Sequence, residues 1–203
     1  SQLLQMRSAE AVEALLDRFT YRTDSSIVDE DEKRSVSDGL VELGELAMGP
    51  VEAFVLKRPN VFYPLKIYQE VAGEAAALDL LIRALSSVED GYGEEERRKT
   101  ELISNLREFK DPKAEETLLT ALMDNNDDVR VMAVEGLVAY GADKALTPLV
   151  ERILDPQESA RIRTVILEVL ADTGWSLKKH RAALTGNIPP GYDLSPDGAI
   201  LRA

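Results

Sequence analysis

The sequence predicts an all-α α-solenoid, a superhelix of about five to six stacked antiparallel helix pairs. Three observations predict it. Two apolar motifs recur in alternation along most of the chain, each has helical spacing, and no stretch sustains the period-two alternation of a half-buried strand, so strands are not expected. Composition agrees: hydrophobic residues make up 44%, but aromatics only 5%, and Ala, Leu, Glu and Val dominate, all residues at home in helices or their packing faces.

The first motif is Gly39-Leu40-Val41-Glu42-Leu43-Gly44, which returns about three repeat lengths later as Gly136-Leu137-Val138-Ala139-Tyr140-Gly141. Upstream, Lys33 aligns with Arg130 and Val36 with Ala133; the next copy reads Arg163, Ile166, Val169, Leu170 and Gly174. A second motif follows. Ala145, Leu149, Val150 and Ile153 match Ala114, Leu118, Leu119 and Leu122, then Ala77, Leu81, Ile82 and Leu85, and also Ala11, Leu15, Leu16 and Phe19. The i, i+4, i+5, i+8 spacing puts these residues in one stripe along a helix. A single pair of such helices cannot bury both stripes, so neighbouring pairs must stack and share a core.

In chain order, helices are expected near 8–20, 30–46, 49–57, 61–73, 74–87, 94–109, 113–123, 127–140, 143–154, 158–172 and 176–184. Asp127 or Asp128 is expected to cap the segment running to Tyr140, Gly141 to end it in a left-handed conformation, and Asp143 to cap the helix that follows. Pro64 has to lie in the first turn of its helix or kink it. Residues 88–95 lengthen the interval between Ala77 and Ala114 and are expected to form a surface loop. The domain is expected to span 1–185. The tail, 186–203, carries Pro189, Pro190 and Pro196 and cannot continue the helices; it is expected to be irregular, docked over the last repeat or serving as a linker.

The run Asp124-Asn125-Asn126-Asp127-Asp128-Val129-Arg130, continuing through Gly136-Leu137 and Gly141 to Ala145, resembles the HEAT-like repeat, most closely the short-period variety of phycobilisome-lyase-type proteins. The likeness covers about residues 8–184 and is weakest around 60–74. It implies a curved stack whose second helices line the concave side. Two enzyme classes with HEAT-like folds are disfavoured. Iron-dependent HEAT-like hydroxylases rely on several His–Glu pairs, and this chain has one histidine. HEAT-like DNA glycosylases need a basic channel, and no quarter of this chain carries net positive charge.

The formal net charge of −13 argues against generic nucleic-acid or anionic-membrane binding. Cysteine is absent, which removes disulfides, thiolate catalysis and thiolate-bound zinc. No run approaches the length of a membrane span, and a cytoplasmic protein is expected. Neither a cofactor nor a metal is expected. The acidic clusters Asp29-Glu30-Asp31-Glu32, Glu94-Glu95-Glu96 and Asp124 to Asp128 read as helix-start residues rather than cation sites, since the last lacks the Gly and distal Glu of a calcium loop. Lys33, Arg130 and Arg163 recur at one repeat position, which points to a repeated structural contact with an Asp or a carbonyl of an adjacent repeat. His180, in Lys178-Lys179-His180-Arg181, reads as a basic turn closing a helix.

What remains is a surface. On the second helices, positions off the apolar stripe read Glu13, Asp17 and Arg18; Asp79 and Arg83; Glu116 and Thr120; Thr147, Glu151 and Arg152. This mixed strip is the candidate partner-binding surface, with Tyr63, Tyr68 and Tyr92 as candidate aromatic anchors. The expected function is a non-enzymatic scaffold for a protein partner. The alternative, implied by the resemblance alone, is a bilin-lyase-like or chaperone-like subunit handling a tetrapyrrole and its acceptor protein; that reading requires an apolar groove of tetrapyrrole size.

Overall fold

In the computed structural model, residues 2–24, 26–89, 91 and 93–203 are described. The chain divides into two compact units, Ser1–Asn105 and Leu106–Ala203. The first holds α1 (Gln2–Met6), α2 (Ala9–Leu16, continued by a 3₁₀ turn over Asp17–Thr20), α3 (Ser26–Leu43), α4 (Glu45–Lys57), α5 (Phe62–Ala72), α6 (Glu74–Ser86) and α7 (Glu94–Asn105). The second holds α8 (Pro112–Ala121), α9 (Asp127–Val138), α10 (Ala142–Leu154), α11 (Ala160–Thr173), α12 (Arg181–Leu184) and a hairpin of β1 (Tyr192–Leu194) and β2 (Ile200–Arg202).

Within each unit the helices stack as in an α-solenoid. In the first unit α3 packs on α5, while α2 packs on α4 and α4 on α6, giving one row of first helices and one of second helices. In the second unit α9 packs against α8, α10 and α11. The repeat positions explain this layering. Leu40, Leu137 and Leu170, aligned in the first motif, are each fully buried. The second-motif alanines Ala11, Ala77, Ala114 and Ala145 are buried too, as are Leu15, Leu81, Leu118 and Leu149 one turn on. Small alanines let the helices approach, and the leucines fill the space between them.

The turns inside the pairs depend on glycine. Gly44 joins α3 to α4, Gly73 joins α5 to α6 and Gly141 lies between α9 and α10, with φ of +59°, +92° and +89°. That region is nearly closed to residues with a Cβ. A different constraint holds Gly136 in the middle of α9: a Cβ there would sit 2.7 Å from Leu118 Cδ2 of α8. The recurring Gly-Leu pair therefore marks a close helix contact followed by its fully buried neighbour.

Several local expectations are corrected. α4 starts at Glu45 rather than 49, so Pro50 lies inside the helix, not at its start. Pro50 follows Ala47 by the same interval as Pro148 follows Ala145 in α10, another helix with an internal proline. Ala47 and Val51 are buried, so α4 is a copy of the second motif that the apolar template passes over because Glu52 occupies one stripe position. The cap of α9 is Asn126, whose Oδ1 accepts from Asp128 N at 2.7 Å and Val129 N at 3.2 Å, rather than Asp127 or Asp128. Gly141, not Asp143, precedes α10, which has no side-chain cap. Pro64 does fall in the first turn of α5. His180 ends a 3₁₀ turn and precedes α12, so the basic run opens a short helix instead of closing one.

The tail was expected to lack strands, yet β1 and β2 pair antiparallel, Tyr192 opposite Arg202. Arg202 bonds Glu168 and, at 2.6 Å, Asp172, both on α11, and the Tyr192 hydroxyl donates to Glu168. Leu177 N donates to Gly198 O at 2.7 Å, and Ile200 is buried. The hairpin thus lies against the last long helix. Three-residue strands are too short to show an alternation in sequence.

Candidate functional site

On the second helices of the first unit, Glu13, Asp17, Asp79 and Arg83 are exposed above the buried stripe. Ion pairs lace this row: Arg58 Nη2 reaches Asp17 Oδ1 at 3.3 Å, and Arg83 Nη2 reaches Glu52 Oε1 at 2.9 Å. Tyr68 is half-buried, and its hydroxyl donates to Glu52 Oε2 at 3.4 Å. In the second unit Glu116, Thr120, Thr147 and Glu151 are exposed, and Lys144 Nζ pairs with Glu115 at 3.3 Å. Arg152 turns aside to Asp155 and to Glu158, a carboxylate itself nearly buried. Tyr92 lies outside the described residues.

Arg18 is a correction to the strip. It is 8% exposed and buried against α3, where Nη2 donates to Asp29 Oδ1 at 2.7 Å and Nε to Glu32 Oε2 at 3.1 Å. Lys33 Nζ donates to the other Asp29 oxygen at 2.6 Å, and Thr23 N to Oδ1 at 2.8 Å. Lys33 and then Arg18 hold the Asp29 carboxyl well below the usual range. This cluster fixes the α2–α3 loop over 20–24.

The recurring cations have structural partners, though mostly nearer than expected. Lys33 bonds within its own helix, and Arg163 Nη2 donates to Asp155 O at 2.5 Å in the turn before its helix. Arg130 does the same with Asp124 O at 2.5 Å and also reaches Glu158 of the following turn at 3.2 Å. The acidic cluster around Asp124 is consumed in turns and ion pairs: Asp127 also accepts from Ser159 Oγ at 2.9 Å. No group of three or more carboxylate or histidine side chains suited to a metal occurs among the described residues.

The α2–α3 loop borders a groove of ≈ 680 Å³ that sequence reasoning did not locate. Phe19, Tyr21, Phe62 and Tyr63 line it, with the carboxylates Asp24, Asp29, Glu30 and Glu101. Phe19 and Tyr63 stack at 5.2 Å between centroids, and Phe62 meets Tyr63 edge-on at 5.4 Å. The Tyr63 hydroxyl donates to Glu30, and burial together with that carboxylate pushes its pKa up to about 12. α7 pins the opposite wall: Glu101 Oε1 accepts from Val61 N at 2.7 Å, and Arg98 Nη2 donates to Val55 O at 2.7 Å. Asn60, at φ +62°, turns the chain between α4 and α5 there. Phe19-x-Tyr21 and Phe62-Tyr63, two aromatic pairs in an aromatic-poor chain, were the signal available in the sequence.

These units define a helical-repeat protein. Residues 93–171, from α7 through most of α11, match the family model of HEAT repeats. The first unit carries the same buried positions outside that match. A comparison with curated proteins returned no match. No helix among the described residues is long and apolar enough to cross a membrane.

Proposed function

We propose that this chain is a non-enzymatic scaffold that holds a protein partner on the exposed faces of its second helices. The observation that carries this reading is a division of labour at fixed repeat positions. The stripe residues are buried or half-buried, while Glu13, Asp79, Arg83, Glu116, Thr120, Thr147 and Glu151 stand exposed beside them. Buried positions fix the stack, so exposed ones vary without unfolding it, and such surfaces serve recognition in repeat proteins. The HEAT-repeat match supports the same reading, since such repeats generally act as protein-interaction scaffolds.

The bilin-handling alternative draws no comparable support. It requires an apolar groove of tetrapyrrole size, whereas the groove of the first unit mixes four aromatic rings with carboxylates, hydroxyls and two basic side chains.

The test is capture from native lysate, identification of the captured protein, and titration of the purified pair. Glu151→Arg with Thr147→Arg in α10, and Glu13→Arg in α2, should weaken binding of the identified partner. Stability should stay within about 0.5 kcal/mol of the parent. Equal affinity for parent and all variants would remove the second helices as the interface.

A further inference from the structure

The groove beside the α2–α3 loop combines two features. Among the described residues, four aromatic rings line it, and its lining holds four carboxylates against two cations, Arg22 and Lys33. Lys33 and Asp29 are paired with each other at 2.6 Å, and Asp29 also with Arg18, which leaves Asp24, Glu30 and Glu101 facing Arg22. The resulting field favours a positive group, and the formal net charge of −13 steers cations toward the chain as a whole.

The rings are already used in the way such a ligand would use them. Arg18 Cζ lies 4.7 Å from the Tyr21 centroid, and Lys66 Nζ lies 4.4 Å from that of Phe62. Neither Arg18 nor Lys66 lines the groove, whereas both rings do. Tyr21 is 53% exposed and Phe62 42%, so ring surface is left for a second cation. The walls are held in place by Asp29, which ties the 20–24 loop, and by Glu101 and Arg98, which tie the α4–α5 turn. A groove fixed on both sides takes up its ligand with little ordering cost.

We propose that this groove receives an arginine side chain from a basic segment of the protein partner; this rests on the scaffold reading and names the partner's chemistry. The flat guanidinium stacks on Tyr21 or Phe62, and its N–H groups donate to the carboxylates of Asp24 and Glu30. Lysine can sit over a ring, as Lys66 does over Phe62, but lacks the flat guanidinium that stacks while donating to two carboxylates, and an acidic segment would meet like charge. The volume suits a side chain with its flanking backbone rather than a lone ion.

The experiment titrates the ¹⁵N-labelled full chain with the acetylated, amidated pentapeptide Gly-Gly-Arg-Gly-Gly, and with the same peptide carrying Glu or Leu centrally. The arginine peptide is expected to shift amides of residues 20–24 and 60–63, with the glutamate and leucine peptides leaving them in place. Tyr21→Ala, an exposed ring, should weaken the arginine peptide about 2–5-fold, and Asp24→Asn should weaken it similarly. Unchanged spectra elsewhere establish that each variant is folded. The proposal is overturned if the leucine or glutamate peptide shifts the same amides equally. It is also overturned if the arginine shifts scatter over the acidic helix faces, are indifferent to both variants, or are absent at millimolar peptide. Those failures would leave partner binding on the second helices intact, whereas loss of the scaffold reading appears in the α2 and α10 charge variants.

Discussion

Leu137→Ala probes the repeat register most directly. Leu137 is fully buried in α9, the helix against which α8, α10 and α11 all pack. The substitution removes three carbons, worth about 2.4 kcal/mol at ~0.8 kcal/mol for each buried methylene. Collapse into the gap is restricted, because α8 and α9 already approach so closely that a Cβ on Gly136 would lie 2.7 Å from Leu118. A residual cavity therefore adds about 1–2 kcal/mol, for a total of about 3.5–4.5 kcal/mol. Urea unfolding followed by far-ultraviolet circular dichroism measures this, provided the slope with denaturant is unchanged. A loss under about 1 kcal/mol would refute the placement of Leu137 at the centre of the stack.

Two further outcomes follow from particular contacts. Gly136→Ala should be neutral to about 2 kcal/mol destabilising, since ~1 kcal/mol of helix propensity opposes ~1–3 kcal/mol of overpacking against buried Leu118. Gly39→Ala meets Leu4 of α1, a short helix with no buried residue, so α1 gives way and the propensity gain prevails; chemical unfolding that ranks Gly136→Ala above Gly39→Ala would contradict this. The Asp29 carboxyl has a folded pKa below its unfolded value of about 3.9, so its contribution is complete above that value and drains away as pH falls below it. Asp29→Asn should therefore melt lower than the parent at neutral pH, with the gap narrowing below about pH 4. A gap that stays constant down to pH 3 would mean that Asp29 is not the paired carboxylate described here.

Much of the fold was legible because burial recurs at fixed spacing. Leu40, Leu137 and Leu170 were aligned from sequence and all lie at zero exposure. Local chemistry read less well. Capping fell to Asn126 rather than Asp127, since several neighbouring Asp and Asn residues offer similar caps and only backbone geometry chooses among them. The α4 copy escaped because Glu52 interrupts its stripe, although the shared Ala-x-x-Pro of α4 and α10 was available as a marker.

The candidate surfaces divide in the same way. Glu13, Glu116 and Glu151 were read as exposed from helical phase, and the structure exposes them. Arg18 occupies the equivalent of an open position but is drawn into Asp29 and Glu32, because the loop after α2 folds α3 over it. The groove needed Phe19, Tyr21, Phe62 and Glu101 brought together from segments far apart in the chain.

By itself the sequence determined the helices, their stripes and the glycines that turn between them, because each depends on residues within a few positions of one another. The tertiary structure alone decided which charges are spent in pairs, how the tail closes on α11 and where aromatic rings meet carboxylates. Those outcomes depend on the close approach of chain-distant groups, whose energies are set by distance and burial rather than by spacing along the chain.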